Sequence, residues 1–498
     1  MPIRITGLNS GLDTETIISA LVSSYNYKTQ KYQKAQTKLS WKQDAWKELN
    51  TKIYSLYTSV GNLRFSSAYN MKNATVSDST KVSVTAGSDA ANGSYSVQVT
   101  SLAKAGYLTG NKIEKTDNTA ATSSTTLAEL GYTGGDGKIS VNGKEITISG
   151  DTKISAVVNK LKDAGVNASF DAKNGRIFVS SKKTGEANDF TLEGVDAAGT
   201  AALESMGLGT GASRIAGSDA KIFVNGAEFT SESNTFAING MTITATGITA
   251  LDENNMTDDT AVNVTVNTDT QGIYDKIKDF LTQYNSIINE MTALYNADSA
   301  KGYEPLTDEE KDAMSDTEVE KWEAKIKDSL LRRDDTLSGL ISSMTNAMSK
   351  GVEIGGKNYY LSSFGIKTLG YMKAPKNEQN AYHIDGDEDD VNVSGNADKL
   401  MAALAEDPDT VMDFMKGLAS NLYEAVDSRM KSSSLSSVYT VYNDKEMASE
   451  YSDYTSIITK WQERLEQQEE YYYQKFAAME TALSKLNSQT SSLAGFFG

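Results

Sequence analysis

Few residue types in this chain can do chemistry, and its single histidine stands in the most suggestive cluster of them. His383-Ile-Asp-Gly-Asp-Glu-Asp-Asp390 alternates carboxylates at Asp385, Asp387 and Asp389, an oxygen-rich spacing of the kind that hard cations such as calcium take as ligands. An EF-hand loop begun at Asp385 would need Gly where Asp390 stands and Glu where Asn396 stands. It has neither. The stretch therefore reads as a solvated acidic turn, with a weak non-EF calcium site near Asp385 as the alternative. His383 reads as a structural or surface residue, because no nucleophile with a recognisable local signature accompanies it. Gly207-Leu-Gly-Thr-Gly-Ala212 fits the formal pattern G-x-G-x-x-A, which aims backbone N–H groups at a pyrophosphate only when a strand precedes it and a helix follows. Ala-Ala-Leu-Glu-Ser-Met precedes it and polar residues follow, so a flexible loop is expected. No spacing singles out a carboxylate pair for glycoside hydrolysis. No catalytic residue, cofactor or metal ligand is assigned, and the chain is not read as an enzyme.

Composition narrows the classes further. The 498 residues carry 48 Lys+Arg against 66 Asp+Glu, a formal net charge of -18, which disfavours nucleic acid as a partner. The absence of Cys removes disulfides, thiol catalysis and cysteine metal sites together. No run approaches the ~20 apolar residues of a membrane span, so membrane insertion is not expected. The opening lacks a basic region followed by an apolar block, so no cleaved signal peptide is expected either. This length suggests about three or four domains.

The elements fall into a helical beginning, a β-rich middle and a helical end. Ile18, Leu21, Tyr25, Lys28, Tyr32, Ala35, Leu39, Lys42, Trp46, Leu49, Ile53, Leu56, Val60 and Leu63 are spaced 3 and 4 in alternation, a heptad seam that faces a partner helix. Asp13 reads as the N-cap. Near the other terminus Ile458, Trp461, Leu465, Gln468, Tyr472, Phe476, Met479, Leu483, Leu486, Thr490 and Leu493 form a second seam, with a stutter at Tyr472. Residues 1–70 hold nine basic and four acidic side chains, and 443–480 hold four basic and nine acidic. The two seams are therefore expected to pair, with Lys28, Lys31, Lys34, Lys38 and Lys42 facing Glu463, Glu466, Glu469 and Glu470; the alternative is two merely solvated faces. Leu493, Phe496 and Phe497 at the end read either as a frayed tail or as a surface that a partner buries.

Asn-Gly occurs at Asn92, Asn142, Asn174, Asn225 and Asn239, the strongest short hairpin signal. Residues 74–267 accordingly read as antiparallel sheet. Lys138–Thr147 matches Lys221–Thr230 at seven of ten positions, which suggests two copies of one hairpin, although any strand-NG-strand unit looks similar. Ile273, Ile277, Phe280, Leu281, Tyr284, Ile287, Ile288, Met291 and Leu294 make another helical stripe. Thr307 and Ser315 open capping boxes, and Asp407-Pro408 opens a further helix.

Assembled, these segments resemble the flagellar filament cap protein (flagellar hook-associated protein 2) family. Gly7-Leu-Asn-Ser-Gly-Leu-Asp-Thr-Glu-Thr-Ile17 resembles its opening motif G-L-x-S-G-L-D-x-x-x-I. Val262–Gln271 running into Phe280-Leu-Thr-Gln-Tyr-Asn285 resembles its strand-to-helix junction, and Leu361–Leu369, Lys399–Pro408 and Phe476–Leu486 follow in the family's order. Residues 137–189 and 219–244 resemble the β modules that flagellins share with this cap.

The resemblance implies an α+β multidomain chain with terminal coiled-coil helices, a helical body and antiparallel β-rich modules inserted. The expected domains are a coiled-coil leg from 1–40 and 465–498, a helical body from 41–73 and 268–464, a β-rich head module from 74–106 and 217–267, and an inserted β-rich head module from 107–216. It also implies an extracellular homo-oligomer, commonly a pentamer, at the distal tip of the bacterial filament, exported without a cleaved signal. There it promotes folding and insertion of flagellin, with a hook-associated junction protein and an export chaperone as further partners. Ile18, Leu21, Tyr25, Leu39, Trp46, Leu49, Trp461, Leu465, Tyr472, Leu483 and Leu486 are the expected coiled-coil and assembly contacts. The alternatives are a surface adhesin using the β-rich head, or the hook–filament junction protein.

Overall fold

A computed structural model describes residues 10–252, 254 and 256–497, with 494–497 as backbone alone. The helices among them are α1 (Thr14–Leu63), α2 (Ile154–Asp163), α3 (Ala197–Ser205), α4 (Thr270–Tyr295), α5 (Asp308–Asp312), α6 (Asp316–Asp328), α7 (Asp335–Ser349), α8 (Lys399–Glu406), α9 (Pro408–Met430) and α10 (Asp444–Phe497). None of the described helices is long and apolar enough to cross a membrane. The chain is mixed α+β and divides into two units, Met1–Tyr69 with Thr270–Gly498, and Asn70–Asp269.

The first unit is helical, and its starts are written in the sequence. Asp13 accepts from the Thr16 amide at 3.0 Å, Thr307 and Ser315 close capping boxes with Glu310 and Glu318, and Asp407 caps α9 with Pro408 in its first turn. Each satisfies amides that the helix itself leaves unpaired. The expected stripe on α4 is buried from Ile273 to Met291. Leu56 and Val60 of α1, Leu337 and Leu340 of α7, and Phe414 and Leu418 of α9 are buried in the same unit.

The second unit is built from antiparallel sheets over two separate cores. Lys72–Val76, Val262–Thr268, Gly93–Ser101, Ala220–Val224 and Ala227–Ser231 form a five-stranded sheet in that order. With the three-stranded sheet Thr235–Ile238, Met241–Ala245 and Val82–Ala86 it encloses Val97, Val99, Ile222, Ile243 and Val264. The other core, drawn from Leu108 to Leu208, lies under the sheet Ser213–Ile215, Ala105–Thr109, Arg176–Thr184 and Asn167–Asp171 and a three-stranded one made by 144–148, 137–141 and 192–194. Where the chain enters and leaves this second core, the amides of Lys104 and Ser218 each donate to the other's carbonyl, at 2.9 and 3.1 Å.

Two features depart from the all-sheet reading of this region. α2 buries Ile154, Val157, Val158 and Leu161, an i, i+3, i+4, i+7 stripe and therefore a helix. α3 precedes the glycine-rich segment, Gly207 (φ +69°) follows its end, and a strand comes after. The order is helix, loop, strand, the reverse of what a pyrophosphate cradle requires.

Three of the five Asn-Gly pairs are two-residue turns with both φ angles positive, Asn142-Gly143, Asn225-Gly226 and Asn239-Gly240. Asn174-Gly175 lies in a longer hairpin loop, and Asn92-Gly93 joins strands of different sheets. The two similar decapeptides adopt the same structure down to their partners. The Asn142 amide donates to the Thr191 carbonyl and Asn142 Oδ1 accepts from the Thr191 amide; Asn225 does the same with Ser96. Lys138–Glu145 and Lys221–Glu228 bridge the strands at matching positions, 2.8 and 3.4 Å apart.

Candidate assembly interface

α1 and α10 run antiparallel along one another, and the aromatic residues of their seams set the register. Tyr25 meets Trp461 with ring centroids 6.2 Å apart, Tyr32 meets Tyr454 at 6.3 Å, and Gln36 Nε2 donates to Thr455 Oγ1 at 2.7 Å. At the N-terminal end of the contact the Ser10 hydroxyl bonds the Glu480 carboxylate. Past the start of α10, Trp46 stacks on Tyr442, 5.4 Å between centroids and 9° between planes. Near the other end of α1, Tyr57 stacks on Tyr423 at 4.5 Å and donates to Asp427 at 2.9 Å. Burial, then the bond to Tyr423, pushes the Tyr57 phenol well above its ordinary pKa.

Among the expected contact residues, Ile18, Leu39, Trp46 and Leu49 are buried, while Tyr25, Trp461, Leu465, Tyr472 and Leu483 are half-buried. Leu21 and Leu486 are not in the seam. Leu21 is 44% exposed, and the buried neighbour is Val22, followed by Thr29 in place of Lys28. Ile18, Tyr25, Tyr32 and Leu39 keep their places at seven-residue intervals, and only the intervening positions move, each to the residue after the expected one. Thr29 tolerates the buried site because its hydroxyl donates to the Tyr25 carbonyl at 3.1 Å. Leu486, six residues beyond the Glu480 that meets Ser10, is exposed. Leu493 is exposed as well, and the side chains of Phe496 and Phe497, like Gly7, Leu8 and Asn9 of the opening motif, lie outside what is described.

The expected charge pairing between the termini does not form as drawn. A register with Tyr25 against Trp461 sets 463–470 opposite 16–23, a stretch without lysine. Lys28 instead lies over the Trp461 ring at 4.3 Å, Lys34 pairs with Glu310 at 2.6 Å, and Lys42 with Asp334 at 2.8 Å. The lysines thus tie α1 to α5 and to the segment that caps α7. Lys34 and the Thr307 amide together hold the Glu310 carboxyl below its usual range.

The acidic turn is likewise met by side chains of its own chain. Lys367 bonds Asp385 at 2.7 Å, Lys278 spans Asp387 and Asp389 at 2.7 and 2.6 Å, and His383 Nδ1 pairs with Asp390. Lys367 holds Asp385 below the usual carboxylate range, against the opposing effect of burial. These contacts fasten 385–390 to α4 and to the short strand at Ile366–Lys367.

Two family models match the chain: one described as Flagellar hook-associated protein 2 N-terminus over residues 10–106, the other as Flagellar hook-associated protein 2 C-terminus over 217–488. The interval 107–216, which holds most of the second β core, falls between them. The flagellar hook-associated protein 2 of Halalkalibacterium halodurans is 25% identical over 556 residues, covering 99% of each chain. That of Escherichia coli K12 is 25% identical over 510 residues, covering 99% of this chain and 97% of its own. A crystal structure of the D1-D2-D3 domains of the flagellar cap protein from Escherichia coli shares the fold, with a TM-score of 0.50 at 22% identity, covering 76% of this chain and 95% of that one.

Proposed function

The chain belongs to the flagellar hook-associated protein 2 family, and from that premise we propose that it caps the bacterial flagellar filament as a homo-oligomer, a pentamer, that promotes folding and insertion of exported flagellin. The observation that carries this reading is the match of both family models, which together take in all of α1 and α10 as far as residue 488. In this reading the protein is extracellular, works at the distal tip, has a structural rather than a catalytic role, and meets flagellin, a junction protein and an export chaperone.

Within the helical unit, 1–40 and 465–498 serve as the leg that meets filament subunits, and 41–73 with 268–464 as the body. The β cores form the head, 74–106 with 217–267 carrying the inserted 107–216. The antiparallel contact of α1 with α10, from Ser10 against Glu480 to Gln36 against Thr455, gives the leg its stiffness. The exposed turns around Leu486 and Leu493 supply apolar surface for helices of the filament.

The test is twofold: the mass of the purified chain in solution, and filament growth in a flagellated bacterium whose own cap gene is deleted. A closed assembly that restores filaments is expected. A chain that stays monomeric and leaves flagellin shed into the medium overturns the reading.

A further inference from the structure

Two surface features of the helical unit carry unpaired charge of opposite sign beside apolar groups. The first is the loop at 370–376. Its tip holds Tyr371, 84% exposed, and Met372, which at 95% is the most exposed large apolar side chain among the described residues. Gly370, with φ +77°, turns the chain, and the amides of Lys373 and Ala374 donate back to its carbonyl at 3.2 and 3.0 Å. Pro375 follows and fixes φ. Tyr371 and Met372 are thus presented by a formed turn. Lys373 and Lys376 are exposed and have no ion partner among the described residues.

The second feature is a groove of about 630 Å³ lined by α4, α6 and the segment joining them. Leu294, Ala297 and Tyr303 line it with apolar surface. Of its charged lining, Glu290 is held by Lys52 at 2.7 Å, and Lys325 lies over the Tyr303 ring at 4.6 Å. Asp298 and Asp328 are exposed and unpaired among the described residues. A chain of net charge -18 repels its own copies, so contact between copies is favoured where a basic patch meets an acidic one. Tyr and Met are side chains that interface centres favour, and charges around them steer the encounter.

We propose that the 370–376 loop of one copy inserts Tyr371 and Met372 into the groove of a second copy, with Lys373 and Lys376 against Asp298 and Asp328. The contact rests on the assembly proposed above and names a surface that forms it. Asn377, just after the loop, accepts from Asn296 at the end of α4, at 3.0 Å. Loop and groove are therefore rooted on the same helix end, and a copy whose groove is filled still offers its own loop, as a closed set of copies requires.

The experiment follows the concentration at which the full-length assembly half-dissociates, by sedimentation. Lys373→Glu with Lys376→Glu, and separately Asp298→Lys with Asp328→Lys, should each raise that concentration by about tenfold or more. All four changes together should bring it back to near wild type. Tyr371→Ser with Met372→Ser, at exposed positions where folding is not at stake, should weaken assembly with no rescue by the charge changes. If wild type assembles and these variants match it, or if the fourfold variant fails to recover, this contact is wrong while the cap reading stands. A monomeric wild type removes both. Charge variants that assemble normally but lose binding to monomeric flagellin assign the loop to flagellin and overturn the contact between copies.

Discussion

Val22 and Leu21 differ by one position on α1 and should differ sharply in what they do. Val22 is 3% exposed and Leu21 44%, so Val22→Ser should cost about 1.5–3 kcal/mol of stability, while Leu21→Ser should stay within about 0.5 kcal/mol. Urea unfolding gives the totals, and hydrogen exchange over residues 14–30 should speed up only in the Val22 variant. Equal effects would mean that the seam does follow the strict heptad. Single residues were legible where local rules fix them: Asp13, Thr307, Ser315 and Asp407 all cap as their spacing requires. They were illegible where the partner decides. Nothing local to Lys34 or Lys42 names Glu310 or Asp334, each more than 250 residues away in sequence. The carboxylates from Asp385 to Asp390, read in isolation as an open acidic turn, face Lys278, Lys367 and His383, and two of those three come from outside the stretch.

At the scale of elements, the hairpin was readable because its turn demands a residue type. Gly143 and Gly226 both have φ +81°, and a Cβ added at either meets nothing within 4 Å. Their replacement by Ala therefore carries only the backbone penalty of the left-handed region, about 1–2 kcal/mol. Because the two turns share their geometry and the pair of bonds that Asn142 makes with Thr191 and Asn225 makes with Ser96, the two substitutions should shift the urea midpoint by the same amount. A difference above about 1 kcal/mol, itself a large fraction of a domain's stability, would show that the likeness of the decapeptides is superficial. The helices α2 and α3 were missed for the complementary reason. α2 is 10 residues long and α3 is 9, no more than three turns each, too short for periodicity to stand out among the strands around them. The long seams were legible as helices, but spacing alone did not show that Val22 and Thr29, in place of Leu21 and Lys28, are the buried residues of α1.

For the whole molecule, the placement of 107–216 makes the sharpest expectation. Its core is distinct from that of the flanking strands, and the entry and exit residues Lys104 and Ser218 are bonded to one another. Joining Gly106 to Gly217 through a short Gly-Ser linker should leave the remainder folded, with circular dichroism retaining the helical signal and the assembled mass reduced only by the missing residues. An unfolded product would mean that the contacts between Thr184 or Asn188 and Glu232 are needed by both cores. The arrangement of the two ends was legible because it was written twice, once in each seam. A last consequence lies in how α10 is seated. It spans 54 residues, about 80 Å, yet from Trp461 to Leu483 its contact side chains are only half-buried. Such a rod is fastened like a zip. Levered sideways at its C-terminal turns, it gives up one small contact after another, whereas tension along its axis loads every tooth of the seam at once.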